Sequence, residues 1–223
     1  MTSAIPIVDL EEFNLTKAPE DVSDDVQRQL AAQIIDAFST VGFVGLTNYG
    51  IPQDKDPSYF KNQHTNCRFS GTRCLNYPAI TSHAVRLLFK DIKPNQIRCG
   101  EHSDYGSITL LFQDDVGGLQ VAYLFNLRTR DGQFVPATPK TGTIYVNVGL
   151  LLQRWTSDKL IATVHRVVIP EAPSDREKVR MSIAYFVQPD PDCLVQCLDG
   201  SDKYEPITSL EFLKMKLKAT YPE

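Results

Sequence analysis

The segment His102-Ser103-Asp104 carries an imidazole and a carboxylate two residues apart. Successive side chains of a strand point to opposite faces, so positions i and i+2 share one and can aim at a common point. A second imidazole, His165, stands in Thr163-Val164-His165-Arg166-Val167, whose β-branched residues predict another strand. His165 can join the pair only if it faces the interior together with Thr163 and Val167. Two imidazoles and one carboxylate on one side of a divalent cation leave its other positions open. That donor set suits zinc with a vacant position, and it suits iron(II) taking a chelating acid and dioxygen. An HxD pair alone is a short pattern that many turns contain, so the reading depends on the fold bringing the third donor in.

A cation held by one carboxylate keeps net positive charge and favours an anionic ligand. Further on comes Arg180-Met181-Ser182-Ile183-Ala184-Tyr185-Phe186. Alternation puts Arg180, Ser182, Ala184 and Phe186 on one face. A guanidinium on an interior face is costly unless it meets an anion. Its fork matches a carboxylate bidentately, and a serine hydroxyl beside it adds a donor. Such a strand can hold the far end of a dicarboxylic acid whose keto-acid end reaches the metal. Taken without the upstream residues, an Arg180 that faces solvent or pairs with an internal aspartate is the simpler account.

The elements that must position these groups follow from periodicity and punctuation. Residues 5–10 read as a strand. Val26, Leu30, Ile34, Phe38 and Val41 form one apolar stripe of a helix that starts at Asp24, capped by Ser23 and ended by Gly42. Phe43-Val44-Gly45-Leu46 reads as a strand, and Asn48 to Pro52 as a turn. Residues 53–100 are polar and lack sustained periodicity. Within them Cys74–Tyr77 reads as a strand stopped by Pro78, and His83–Phe89 as a short helix or strand. From Ile97 onward short β segments alternate with turns: Ser107–Phe112, Leu119–Ala122, Gly142–Val148, Thr163–Ile169 and Arg180–Val187. A helix over Ser209–Ala219 closes the chain. Many short strands at this spacing predict a sandwich or jelly roll.

Composition narrows the function classes. The 223 residues are 42% hydrophobic, enough for a sizeable core in one large domain. A net charge of −4, with no basic face, argues against nucleic acid. The absence of a long apolar run argues against a membrane span, and the acidic start argues against a secretory signal. Five cysteines, none in a CxxC pair, fit a reducing compartment, so a cytoplasmic protein is expected. Cys193 and Cys197 read as free thiols, His64 and His83 as surface residues, and Trp155 as packing outside the sheets.

Taken together, five segments resemble the isopenicillin-N-synthase-like group of the 2-oxoglutarate/Fe(II)-dependent dioxygenases. They are His102-Ser103-Asp104-Tyr105-Gly106-Ser107-Ile108-Thr109-Leu110-Leu111, Gly117-Gly118-Leu119-Gln120-Val121, Asn147-Val148-Gly149, Thr163-Val164-His165-Arg166-Val167 and Arg180-Met181-Ser182. Their order and spacing match as well, and Ile5–Leu10 with Gly42–Pro52 resembles that group's N-terminal region. The resemblance implies a mainly β protein with flanking helices around a double-stranded β-helix, or jelly-roll, core. It divides the chain into an N-terminal region, 1–73, and a jelly-roll domain with a C-terminal helix, 74–223. It implies iron(II) on His102, Asp104 and His165, with 2-oxoglutarate as cosubstrate, its far carboxylate on Arg180 and Ser182 with Tyr77 nearby. Dioxygen would be the oxidant, ascorbate a reductant, and the partner a small-molecule substrate. The implied reaction decarboxylates 2-oxoglutarate to succinate and carbon dioxide while oxidising that substrate.

Three departures stand out. The stretch between Gly50-Ile51-Pro52 and Tyr77 is short for this group, which predicts apolar sheet surface left without its usual cover. Leu75 stands where relatives often carry Asn, and Leu150 where Asp is common after Asn147-Val148-Gly149. Two alternatives remain at this point. One is an oxygenase of the same fold that does not use 2-oxoglutarate; the other is a non-catalytic variant whose pocket went with the missing stretch.

Overall fold

The computed structural model describes residues 5–14, 16–50, 71–79, 97–124, 132–170 and 173–220. Strand β1 (Ile7–Asp9) is followed by two short 3-10 turns and by helix α1 (Asp24–Thr40). The Ser23 hydroxyl accepts a hydrogen bond from the Val26 N–H at 3.4 Å, and Asp24 and Asp25 sit in the positive first turn. The chain leaves the helix through Gly42 in the left-handed region, φ 72°. A side chain there would be strained, and its Cβ would fall 2.2 Å from the Ile161 carbonyl oxygen. The sequence therefore places both ends of α1 correctly.

Ten of the twelve described strands build two facing sheets. After β2 (Phe43–Thr47) come β3 (Gly71–Tyr77), β4 (Ile97–His102), β5 (Ile108–Gln113), β6 (Leu119–Leu124), β7 (Gly132–Pro136) and β8 (Ile144–Val148). Helix α2 (Leu150–Trp155), β9 (His165–Val168), α3 (Pro173–Arg176) and β10 (Arg180–Val187) follow, then a small pair, β11 (Leu194–Val195) and β12 (Ile207–Thr208), and finally α4 (Ser209–Thr220). The larger sheet runs β1-β2-β8-β5-β10-β3 and the smaller β4-β9-β6-β7. From β3 to β10 the chain alternates between the sheets, broken only by the β6–β7 hairpin. That alternation is the double-stranded β-helix, and the fold is mainly β with few helices, as expected.

The interior between the sheets is filled by Ile5, Val41, Phe43, Leu119, Val121, Val135, Ala137, Tyr145 and Val167. On the outer face of the larger sheet, Ala37 and Phe38 of α1 pack on Val8, Val44, Ile144, Val146 and Val148. Strand β8 is thus covered on both sides, and all five of its residues are buried. Trp155 packs outside the sandwich against Leu151, Val195 and Phe212. Cys193 and Cys197 are free thiols.

Some expectations need correction. β7 is absent from the sequence reading: it is short, and Gly132 and Pro136 at its ends read as turn residues. β11 and β12 are too short to show a period. Leu150 is the first residue of α2 and packs half-buried against two apolar clusters. Strand β9 is shorter than Thr163–Ile169, although Thr163, His165 and Val167 are all buried as the alternation requires. Cys67, His64 and His83–Phe89 lie outside the described residues. No helix among the described residues is long and apolar enough to cross a membrane.

The cover provided by α1 stops at the middle of the larger sheet. On β10, Met181 and Ile183 point outward and are 57% and 43% exposed. Their register partners on β3 are Asn76 and the exposed Cys74. Met181 and Ile183 thus form a small apolar patch on the outer face of β10. Replacing both residues (Met181→Glu with Ile183→Thr) should reduce concentration-dependent association in light scattering while changing stability by only about 0.5 kcal/mol. Unchanged association would show that this face is not the sticky one.

Candidate active site

His102 ends β4 and His165 opens β9, directly opposite each other in an antiparallel pair. Their ring centroids stand 4.3 Å apart. On the far side of His165 the register partner is Val121 of β6, so the imidazole is buried among the minor-sheet residues that face inward. Asp104 arrives differently from the sequence expectation. It lies past the end of β4, in a turn rather than on the strand. That turn is tied to the end of β8: the Gly149 N–H donates to the Ser107 carbonyl at 2.8 Å, and the Leu150 N–H to the Asp104 carbonyl at 2.8 Å. The approach is so close that a Cβ on Gly149 would sit 2.2 Å from the Gly106 carbonyl oxygen. Asn147-Val148-Gly149 and the HxD segment are therefore two halves of one joint.

Asp104 Oδ1 lies 3.8 Å from His102 Nε2 and 3.7 Å from His165 Nε2. Its other oxygen is occupied. Thr109 Oγ1 donates to Oδ2 at 2.6 Å and Asn147 Nδ2 donates to it at 2.8 Å. Thr109 and Asn147 are register partners on β5 and β8, both buried on the inner face. Two donors on one oxygen orient the carboxylate so that only Oδ1 points at the histidines. The motifs contain both residues, but nothing in their spacing distinguishes a carboxylate clamp from ordinary strand positions.

The histidines present their Nε2 atoms for a like reason. His102 Nδ1 donates to the Gly100 carbonyl at 2.8 Å, and His165 Nδ1 to the Thr163 carbonyl at 3.2 Å. A carbonyl only accepts, so each Nδ1 carries the proton and each Nε2 offers a lone pair once neutral. Phe43 meets the His165 ring edge-on at 5.4 Å. Burial pulls the His165 imidazole below its ordinary value. His102 is pushed up to about 9, chiefly by the Cys99 thiol near its Nδ1 and further by the Gly100 carbonyl and the Asp104 carboxylate.

The three donor atoms lie within 4.8 Å of one another, the one such grouping of three His, Cys, Asp or Glu among the described residues. Donors on a single small divalent ion at about 2.1 Å stand roughly 3 Å apart, so closing on an ion moves each by about 1 Å or less. The geometry and the nitrogen-oxygen donor set fit iron(II), held on one side only.

Behind them sits Arg180, 1% exposed, on the inner face of β10. Its Nε donates to the Gly117 carbonyl at 2.6 Å, Nη1 to Ser182 Oγ at 3.0 Å and Nη2 to Gln113 Oε1 at 3.1 Å. All of these acceptors are neutral. Burial lowers the Arg180 pKa from its ordinary value, yet a guanidinium starting so high stays charged. Tyr77 of β3 is its register partner, with the ring centroid 5.4 Å from the guanidinium carbon. Leu75 pairs with Ser182 in the same ladder. The structure brings His102, Asp104 and His165 together, and sets Arg180, Ser182 and Tyr77 beside one another on β10 and β3.

A family model described as the 2OG-Fe(II) oxygenase superfamily matches residues 46–189. The chain belongs to that superfamily. It is 38% identical over 205 residues to the 2-oxoglutarate-dependent dioxygenase htyE of Aspergillus rugulosus, covering 86% of this chain and 55% of that one. To the proline hydroxylase buaE of Petromyces alliaceus it is 38% identical over 161 residues, covering 68% and 47%. A full-length Neurospora crassa protein solved in complex with alpha-KG superposes with a TM-score of 0.76 at 26% identity, covering 97% of this chain and 96% of that one. The chain spans about half the length of the curated relatives it matches.

Two outcomes follow from the geometry. Asn147→Leu or Thr109→Val frees the Asp104 carboxylate to turn, and should weaken Mn(II) binding about 10- to 100-fold by calorimetry, while Thr109→Ser retains most of it. Unaltered affinity in both would show that the clamp is idle. The proton on His102 competes with a cation for Nε2, so metal uptake should tighten as pH rises through neutrality toward 9 and should release a proton. Calorimetry in buffers of different ionisation enthalpy reads that proton directly; a pH-independent affinity would contradict it.

Proposed function

We propose that this chain is a 2-oxoglutarate- and iron(II)-dependent oxygenase acting on a small molecule. His102, Asp104 and His165 hold the iron; Arg180, Ser182 and Tyr77 receive the far carboxylate of 2-oxoglutarate. The observation that carries the reading is the convergence of Asp104 Oδ1 with two Nε2 atoms, beside a buried guanidinium that binds no carboxylate among the described residues. Bound iron supplies the dioxygen chemistry that splits 2-oxoglutarate to succinate and carbon dioxide and oxidises a bond of the substrate.

The protein's part is binding and placement. With Oδ2 held by Thr109 and Asn147, Asp104 would offer a bound iron Oδ1 alone, which would leave room for the keto acid and dioxygen. Arg180 and Ser182 set the distance at which the diacid is held, and the apolar filling of Phe43, Val121, Val167 and Tyr145 limits water. All six site residues fall within 74–223, taken here as the catalytic unit; 1–73 carries β1, α1, β2 and the first three residues of β3.

Relatives include a proline hydroxylase, and the Neurospora crassa protein is also solved with 5-formyluracil; both support a small organic substrate. The net charge of −4 speaks against a nucleic-acid partner, and the free cysteines among the described residues speak for a reducing, cytoplasmic setting. Ascorbate serves as accessory reductant. One observation favours a second reading: the His102 side chain is 41% exposed, so the mouth of the barrel beside the metal is open. A chain that binds 2-oxoglutarate but does not couple it to a substrate would have that form.

The test is succinate formation by the purified chain with Fe(II), 2-oxoglutarate, ascorbate and pooled small molecules. Substrate-dependent succinate should appear, and His102→Ala and Asp104→Ala should each abolish it. Normal turnover in the double variant would defeat the assignment. Binding of 2-oxoglutarate with no succinate from any pool would select the second reading.

A further inference from the structure

The resemblance singles out one guanidinium, Arg180; the structure puts a second beside it. Arg98 lies on β4, in the smaller sheet, four residues before His102. Its Nη1 and Nη2 are buried, and neither has a hydrogen-bond partner among the described residues. Leaving a charged donor pair dry and unbonded is among the costlier arrangements a fold can hold, and native structures keep such groups where a ligand completes them. Its guanidinium carbon stands 5.7 Å from the centroid of the Tyr77 ring, against 5.4 Å for Arg180. Two cations from opposite sheets thus lie against one phenol.

No carboxylate neutralises either of them within ion-pair distance among the described residues. Asp114 is the acid whose field reaches both. Its own oxygens are taken by backbone: Oδ1 accepts from the Val116 N–H at 3.1 Å and Oδ2 from the Met181 N–H. Arg180 spends three N–H groups on Gly117, Ser182 and Gln113, which leaves two of its five for a ligand. Arg98 leaves all of its terminal N–H groups. One carboxylate has lone pairs enough for both forks. Arg98 and His102 share a strand and are separated by roughly 13 Å of extended chain at most, less the bulges between them. That span suits a short diacid whose keto end is at the metal and whose tail lies between two long side chains.

We propose that Arg98 is a second carboxylate-binding residue, closing on the far carboxylate of the 2-oxo diacid from the sheet opposite Arg180. The inference rests on the oxygenase reading and sharpens it: the barrel selects a dianionic cosubstrate with two guanidiniums.

The test is calorimetric titration of the Mn(II)-loaded chain with 2-oxoglutarate and, separately, with 2-oxobutyrate, which has the same keto-acid head and no far carboxylate. Arg98→Gln should weaken 2-oxoglutarate about 10- to 100-fold and leave 2-oxobutyrate within about twofold, with Arg98→Lys intermediate. Unchanged 2-oxobutyrate binding certifies that the variant is folded and its metal site intact. Equal weakening of both acids, or of neither, would overturn the role of Arg98. A wild-type chain that binds 2-oxobutyrate but shows no preference for 2-oxoglutarate would overturn it too. A wild-type chain that binds neither acid would remove the oxygenase reading itself, and the proposal with it.

Discussion

A carboxylate held dry and turned in one direction organises this interior. Asp104 has one oxygen bound by Thr109 and Asn147 and the other facing two imidazoles. Each part of that arrangement comes from a different strand: β5 and β8 of the larger sheet supply the donors, β4 and β9 of the smaller one the histidines. The carboxylate therefore reaches its position only when the two sheets have closed on each other. The Gly106–Gly149 contact that fastens the Asp104 turn to the end of β8 is what allows the closure. Fold and site are one construction here, and a donor set facing one way follows from the way a double-stranded β-helix alternates its strands.

Much of this was legible in the residues. The helix α1 could be bounded because Ser23 and Gly42 punctuate an apolar stripe, and most strands from β5 onward could be placed from alternation. The interior face of β10 was legible too: Arg180, Ser182 and Ala184 are buried while Met181 and Ile183 are exposed. Local pattern is informative where one face of an element is buried and the other is wet. It fails where the determining contact is distant. Asp104 was expected on a strand because its i, i+2 relation to His102 is satisfied equally by a strand and by the first turn beyond one. Thr109 and Asn147 became functional only through a register between β5 and β8. Arg98 carries no periodic signal at all; its meaning lies in two nitrogens that found no partner. β7 was hidden by the glycine and proline at its ends.

Two places among the described residues are open to solvent. The outer face of β10 and β3 shows apolar side chains to solvent, beyond the reach of α1. At the mouth of the barrel His102 is partly open to water while His165 is not. Burial and hydrogen bonding push their imidazoles in opposite directions. One nitrogen is ready for a cation; the other must first lose a proton. An asymmetric pair of this kind makes loading depend on pH while leaving the preformed geometry intact.

The most direct test of the central claim is anaerobic absorption spectroscopy of the purified chain with Fe(II) and 2-oxoglutarate. Three protein donors on one side of a bound iron would leave room for the keto acid, and a chelated keto acid gives a weak visible charge-transfer band. The account predicts that the band appears only when iron and 2-oxoglutarate are both present, and that it is lost in Asp104→Ala. A chain that binds Fe(II) and 2-oxoglutarate yet shows no such band, or shows it undiminished without Asp104, would contradict the convergence on which the account is built.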